Sequence, residues 1–213
     1  MNKNTVQQKF WASKFGNDYT DRNDFDSKTL DQFYKKRYGI SRSKINNEFL
    51  SKLKINNILE VGCNTGNQLK LLQQQGYKNL YGIEINKYAV AKAKKFTTDI
   101  NIIQASAFDL PFKDNYFDLV FTAGVLIHIN PRDLKAVMKE IYRVSKKYIW
   151  GYEYFNENHE QIVYRGLKDR LWKADFAKIY QEIFPDLKLI KNKKYKCLNG
   201  NEVDSLFLFA KKQ

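Results

Sequence analysis

The sequence predicts an α/β protein whose sheet is mostly parallel and is closed at one edge by an antiparallel hairpin. Three observations carry this. Residues 58–61, Ile-Leu-Glu-Val, run straight into the small-residue turn Gly62-Cys63-Asn64-Thr65-Gly66-Asn67, which opens a helical pattern at Gln68-Leu69-Lys70-Leu71-Leu72. Strand-like and helix-like segments then alternate as far as residue 153, and such alternation implies parallel pairing. Finally, two runs, 187–195 and 205–211, lie either side of Asn199-Gly200-Asn201 and read as a hairpin.

Taken in order, residues 5–50 read as helical, interrupted by the polar segment 18–26 and by Gly39. Leu30, Phe33 and Tyr34 share one helix face there. Strands are expected at 57–61, 80–84, 100–104, 117–122 and 147–153, with helices at 66–75, 87–95 and 131–146 between them. The last helix is the clearest. Asn130 caps it, Pro131 occupies its first turn, and Leu134, Val137, Met138, Ile141 and Val144 form one apolar stripe. Residues 154–173 read as an irregular polar-aromatic stretch, followed by a helix near 174–184 that Pro185 stops. The expected organisation is a helical lid or cap, 1–50, on a core, 51–213, with an acceptor loop near 154–173.

Composition bounds the class. The chain has 213 residues, 43% hydrophobic and 28% charged, which suits a single globular domain with an elaboration. No run is long enough for a membrane span, and the start, Met1-Asn2-Lys3-Asn4, is too polar for a signal peptide. Two cysteines, Cys63 and Cys197, give neither a disulfide framework nor metal-ligand spacing. These features point to a reduced, cytoplasmic protein without a metal.

The formal charge of +14 invites a nucleic-acid reading. Its distribution argues otherwise, with an excess of +4, +7 and +3 over residues 1–50, 51–150 and 151–213. Lysines number 30 against 7 arginines, whereas arginine is the residue suited to bidentate phosphate and base recognition. A solvated lysine-rich surface is the simpler account, and no specific nucleic acid is expected.

The turn after residue 61 sets the chemistry. Small residues let a ligand approach the backbone, and the helix start leaves N–H groups facing it. Gly62 and Gly66 bracket Asn64, so the full Gly-x-Gly-x-x-Gly of a pyrophosphate binder is missing. Asparagine tolerates the left-handed backbone that glycine would otherwise supply. A second strand, Leu80-Tyr81-Gly82-Ile83-Glu84, ends in an acid eighteen residues after Gly66. A carboxylate there accepts both hydroxyl hydrogens of an adenosine ribose.

At these residues the chain resembles the class I S-adenosylmethionine-dependent methyltransferases. Glu60, Gly62, Asn64 and Gly66 match that family's first motif, and Glu84 its ribose-binding acid. The resemblance implies a Rossmann-like class I fold with a seven-stranded sheet, and S-adenosylmethionine as cofactor. Thr65, Asn67 and Ile85 would flank the cofactor beside those residues. Ser106 and Ala107 would flank the adenine; many members of that family carry an acid where Ser106 stands, and its hydroxyl can still accept from the adenine amino group. Thr122 and Ala123 would face the sulfonium through backbone atoms, with Gly124 allowing close approach.

Methyl transfer needs mainly alignment and exclusion of water, which is worth roughly 7–11 kcal/mol of barrier. A base helps where the acceptor is still protonated. His128, just past the fourth strand, and Glu153, ending the fifth, are the candidates, each weighed against a purely structural role. His159 lies in polar sequence and is a weak one.

Two further segments, Phe10–Asn23 and Tyr164–Phe176, together with Gly124–Pro131, are similar to the methylases associated with pseudaminic acid and related surface-sugar pathways. The resemblance extends from about residue 50 to the end, plus the first of these segments. Read physically, the first segment is expected to fold over the cofactor as a lid in which Tyr19 and Arg22 meet the methionine carboxylate. The second is expected to form an acceptor pocket with Tyr154, Arg165 and Arg170, whose arginines suit a carboxylated or phosphorylated compound. The expected activity is methylation of a small molecule such as a sugar, amino acid or related amine, by a monomer or homodimer. The rivals are an RNA or protein methyltransferase, and a protein that binds S-adenosylmethionine without turnover.

Overall fold

The computed structural model describes residues 5–23 and 25–212, so the polar start at Met1–Asn4 lies outside the described residues. Four short helices come first: α1 (Val6–Trp11), α2 (Lys14–Arg22), α3 (Ser27–Tyr38) and α4 (Arg42–Leu50). Each starts on a side chain that accepts a backbone N–H, namely Thr5, Ser13, Asp26 and Ser41. The break expected across 18–26 is narrower than that. Helix α2 runs on to Arg22, and the next begins at Ser27. Gly39 ends α3 at φ +75°, as a left-handed cap should.

The core alternates β1 (Asn57–Val61), α5 (Asn67–Gln74), β2 (Asn79–Glu84), α6 (Lys87–Phe96), β3 (Ile100–Gln104), β4 (Phe117–Ala123), α7 (Pro131–Val144) and β5 (Ser145–Tyr154). A 3₁₀ turn, Leu126–His128, follows β4. Two strands, β6 (Glu160–Tyr164) and β7 (Leu167–Lys173), form a separate hairpin, then α8 (Phe176–Ile183), β8 (Leu187–Lys196) and β9 (Val203–Lys211) close the chain. The seven-stranded sheet has the order β3-β2-β1-β4-β5-β9-β8. Its first five strands are parallel, and β9 runs antiparallel to both β5 and β8.

Alternate residues of each central strand feed opposite faces. Ile58, Leu119, Phe121, Trp150 and Leu206 pack beneath α3, α4 and α5. Leu59, Val120, Ile149, Phe207 and Phe209 pack against the α7 stripe and α8. Gly151 is required between them, since a Cβ there would lie 2.0 Å from the Phe207 ring. Asp118 ties down the approach to β1, accepting from the Asn56 N–H at 2.8 Å and pairing with Lys147 at 3.0 Å.

Two departures from the sequence reading stand out. Helix α7 stops at Val144, because Ser145 is already buried and pairs with Phe117 in the sheet. The stretch 154–173 is not irregular, for most of it is the β6–β7 hairpin. Its turn is Arg165-Gly166, with φ +51° and +79°. Among the described residues no helix is long and apolar enough to cross a membrane.

Candidate functional site

Parallel strands carry their ligands at their carboxyl ends. There, the tips of β1, β2, β4 and β5 floor a cavity of about 380 Å³. After β1 the chain turns sharply, with Gly62, Asn64 and Gly66 at φ +75°, +48° and +77°. The N–H groups of Gly62 and Cys63 both donate to the Ile83 carbonyl at 2.9 Å, clamping the turn to β2. Helix α5 then begins without a side-chain cap.

Glu84 lies across this turn. Its Oε2 accepts from the Asn64 N–H at 3.0 Å and its Oε1 from the Asn86 N–H at 2.8 Å. Burial pushes its carboxyl up, partly offset by those N–H groups. Each carboxylate oxygen can accept a second hydrogen bond, and Glu84 lines the cavity. Glu60 is 3% exposed, and its Oε2 has no partner. Burial raises its carboxyl too, while Arg42 behind it pulls the other way. Arg42 is itself buried in a box of Tyr34, Trp150 and Tyr152, its guanidinium 5.4, 4.7 and 5.1 Å from their ring centres.

Helices α1 and α2 roof the cavity and are latched to its floor. Asn86 donates through Nδ2 to the carbonyls of Trp11 at 2.9 Å and Ser13 at 3.3 Å and to Asn17 Oδ1 at 2.9 Å. Its Oδ1 meanwhile caps α6. The Thr20 hydroxyl sits 2.9 Å from the Asn64 amide oxygen, and Gln8 donates to Ser106 Oγ at 2.7 Å. The β6–β7 hairpin completes the roof. Tyr164 packs against Phe15 and His128 with ring centres 6.0 and 5.3 Å away, and Arg170 lies 4.7 Å above the Phe10 ring.

His128 is buried beneath Trp11, ring centres 4.5 Å apart. Its Nδ1 lies 2.7 Å from the Arg170 carbonyl. A carbonyl only accepts, so Nδ1 carries the proton and Nε2 keeps its lone pair. Burial pulls this imidazole down to about 4, so it is neutral near pH 7.

Glu153 serves a different end. Its oxygens accept from the Val125 N–H at 3.2 Å and the Ile127 N–H at 3.3 Å, pinning the segment that carries His128. Burial pushes its carboxyl up to about 7 against an ordinary value of 4.5. Between those values the folded chain holds a proton that the unfolded chain has released, so this contribution is full below about 4.5 and is lost as pH rises through 7. A shift of that size corresponds to about 3 kcal/mol. Glu60, Glu84 and Asp204 are raised in the same direction. His128, pulled down by burial, works the other way below about pH 6.5, so only the difference between variants isolates Glu153. By chemical denaturation, Glu153→Gln is expected to lose less stability, or gain more, between pH 5 and pH 8 than the unaltered chain. An identical pH dependence in the two would refute it.

Residues 59–148 match the family model described as "Methyltransferase domain". The fold is that of the class I methyltransferases. The chain is 34% identical over 123 residues to an uncharacterized protein of Methanocaldococcus jannaschii, covering 56% of this chain and 44% of that one. It is 28% identical over 123 residues to the sterol 24-C-methyltransferase of Pneumocystis carinii, covering 50% and 32%. The chain thus spans less than half the length of these curated relatives. Among solved structures, the 1,6-didemethyltoxoflavin-N1-methyltransferase of Burkholderia thailandensis superposes with TM-score 0.71 at 12% identity, covering 100% of this chain and 93% of that one.

S-adenosylmethionine is the cofactor that a methyltransferase domain of this class implies, and the residues present fit it. Glu84 offers two lone pairs to a ribose, and the unpartnered Glu60 Oε2 offers an acceptor to an ammonium group. Gly62 and Gly124 line the cavity with positive φ, and a Cβ at Gly62 would lie 2.7 Å from the Val125 side chain, so only glycine fits that turn. Of the residues expected around the cofactor, Tyr19, Glu60, Gly62, Asn64, Asn67 and Glu84 line the cavity, with Ile85, Ser106, Ala107 and Ala123 beside them. Of the acceptor residues, His128, Tyr154 and Arg165 do so.

The geometry moves the others. Arg22 is exposed at the end of α2, its guanidinium 5.7 Å from the Phe15 ring, and is not among the residues that line the cavity. Glu153 lies behind the wall, occupied by backbone N–H groups, and so positions the segment instead of acting as a base. Thr122 is buried and bonded to Glu153. Thr65 is buried, and Gly66 is the cap of α5 beneath the turn. Arg170 offers the pocket only its carbonyl, to His128, because its guanidinium covers Phe10. Ser106 Oγ already accepts from Gln8 and from the Phe108 N–H at 3.1 Å, leaving its O–H to donate, the reverse of the expected polarity.

Arg37, Trp11 and Asn86 also line the cavity and were not anticipated. Asn86 had a readable signal, as an N-cap two residues after Glu84. Arg37 had none, since the helix face it occupies depends on how α3 packs. Among the described residues no group of three or more His, Cys, Asp or Glu is placed to hold a metal.

Proposed function

We propose that this chain transfers a methyl group from S-adenosylmethionine to a hydroxyl-bearing small molecule. One observation carries the reading. A single roofed cavity brings Glu60 and Glu84 into the same space as the lone pair on His128 Nε2. The roof of α1, α2 and the β6–β7 hairpin favours a compact acceptor over a nucleic acid or protein chain. The sterol methyltransferase relatives and the resemblance to surface-sugar methylases both lean the same way. A cytoplasmic setting fits the two free, buried cysteines, Cys63 and Cys197.

When bound, S-adenosylmethionine supplies an electrophilic methyl group on a sulfonium. The protein's part is positioning. Glu84 would hold the ribose and the turn at Gly62–Gly66 would lie against the cofactor, while Trp11 and Tyr164 pack on His128 and exclude water from it. Glu153 holds Val125–Ile127 so that Nε2 faces the cavity. There Nε2 accepts the proton of the acceptor hydroxyl, a contribution of roughly 10²–10⁴ in rate.

The test is calorimetry with S-adenosylhomocysteine, followed by a screen of hydroxylated small molecules for its release. His128→Gln is expected to lower kcat by about a hundredfold or more, with cofactor affinity intact. Because His128 is already neutral, its own titration should lower the wild-type rate only toward about pH 4. A protein that binds no S-adenosylhomocysteine would end this reading. Binding without turnover of any acceptor would favour the non-catalytic alternative.

A further inference from the structure

The cavity wall carries four charged side chains, and three are already answered. Glu60 faces Arg42. Glu84 is held by two backbone N–H groups. Arg37 pairs with Glu202 at 2.9 Å and lies 3.7 Å from Asp204. The fourth, Arg165, has no hydrogen bond, ion pair or ring contact among the described residues, although it lines the cavity.

Its position is unusual in a second way. Arg165 and Gly166 form the two-residue hairpin turn, and both have positive φ, +51° and +79°. Such turns favour Asn-Gly or Asp-Gly, because a longer side chain gains nothing in the left-handed region. An arginine held there stores strain, which collects at ligand-binding positions. Arg165 is exposed at the tip of the hairpin and lines the cavity. Tyr164, one residue earlier, packs against His128. The hairpin therefore brings the cation to the same cavity that His128 lines.

We propose that the acceptor is a hydroxylated acid, whose ionised group pairs with Arg165 while its hydroxyl lies against His128. This rests on the methyl-transfer reading above and specifies its substrate class. A carboxylate and a phosphate satisfy the same fork of N–H donors. In the transfer the hydroxyl oxygen bonds to the methyl carbon and its proton passes to Nε2. The electron pair of the broken sulfur–carbon bond stays on sulfur. A negative charge on the acceptor also draws it toward the cationic sulfonium.

The experiment measures binding of matched pairs to the full chain saturated with S-adenosylhomocysteine: galacturonate and galactose, glucose 6-phosphate and glucose, 4-hydroxybenzoate and phenol. At least one acid should bind tenfold or more tightly than its neutral counterpart. The carboxylate and phosphate pairs identify which anion is used. Arg165→Ala should weaken that binding about tenfold, Arg165→Lys should restore part of it, and affinity for S-adenosylhomocysteine should stay within twofold. The proposal is overturned if no acid binds, if neutral members bind as well, or if Arg165→Ala leaves acid binding unchanged. It is also overturned if Arg165→Ala weakens S-adenosylhomocysteine but not 5′-methylthioadenosine, for then Arg165 grips the cofactor's own carboxylate. Failure of the unaltered protein to bind S-adenosylhomocysteine would instead sink the methyl-transfer reading, and this proposal with it.

Discussion

Glu84→Ala is expected to weaken S-adenosylhomocysteine binding by a hundredfold or more. Each hydrogen bond from a ribose hydroxyl to a carboxylate is worth about 1.5–3 kcal/mol, so losing two costs at least about 3 kcal/mol, or two orders of magnitude in affinity. The carboxylate has a second job, since it also accepts from the Asn64 and Asn86 N–H groups. Its removal therefore orphans two donors at the turn that shapes the pocket, which adds to the loss. Calorimetry with 5′-methylthioadenosine isolates the ribose, because that compound lacks the amino acid end of the cofactor. Its affinity should fall by the same factor. Burial raises the Glu84 carboxyl, so deleting it removes a disfavoured charge and the thermal midpoint should change little. An unchanged affinity for methylthioadenosine would remove the ribose assignment.

What made Glu84 readable is that its setting is local. The strand 79–84, the turn at 62–66 and the helix starts on either side are each written in a few consecutive residues. Spacing along the chain therefore fixes their arrangement in space. The same holds for α7, whose cap, proline and stripe give its bounds to within two residues. The β6–β7 hairpin was not legible, because its strands are largely exposed and polar, and its turn uses Arg-Gly in place of Asn-Gly. Arg22 and Arg37 show a different limit. Both sit on short amphipathic helices, and only tertiary packing decides that Arg22 lies over Phe15 in solvent while Arg37 enters the cavity. Glu153 fails for a third reason. A carboxylate at a strand end reads alike whether it faces a ligand or the backbone N–H groups of the neighbouring loop.

The same long-range packing makes the lid testable through Gly16. An added Cβ there would stand 1.9 Å from the Trp11 carbonyl oxygen and 2.6 Å from Asn86 Nδ2. Both belong to the latch between roof and floor. Alanine is the better helix former by about 1 kcal/mol, yet the methyl group cannot be accommodated without pushing α1 and α2 apart. Gly16→Ala is thus expected to raise the dissociation rate of S-adenosylhomocysteine and lower kcat/KM by about tenfold to a hundredfold, the range of one to two lost charge-free latch contacts and the alignment they enforce. The sheet and its two cores do not depend on this contact, so the main unfolding transition should barely move. Trp11 fluorescence should shift to the red as water reaches the ring. Asn86→Asp supplies the control that separates the latch from α6. It keeps the Oδ1 that accepts from the Ala89 N–H at 3.0 Å, and loses the Nδ2 donor to Trp11, Ser13 and Asn17. If the roof holds the cofactor through this latch, both variants share the kinetic defect, and Asn86→Asp shows it with its helix cap intact. Wild-type dissociation rates in both would mean that α1 and α2 merely rest on the site, with water exclusion left to the hairpin alone.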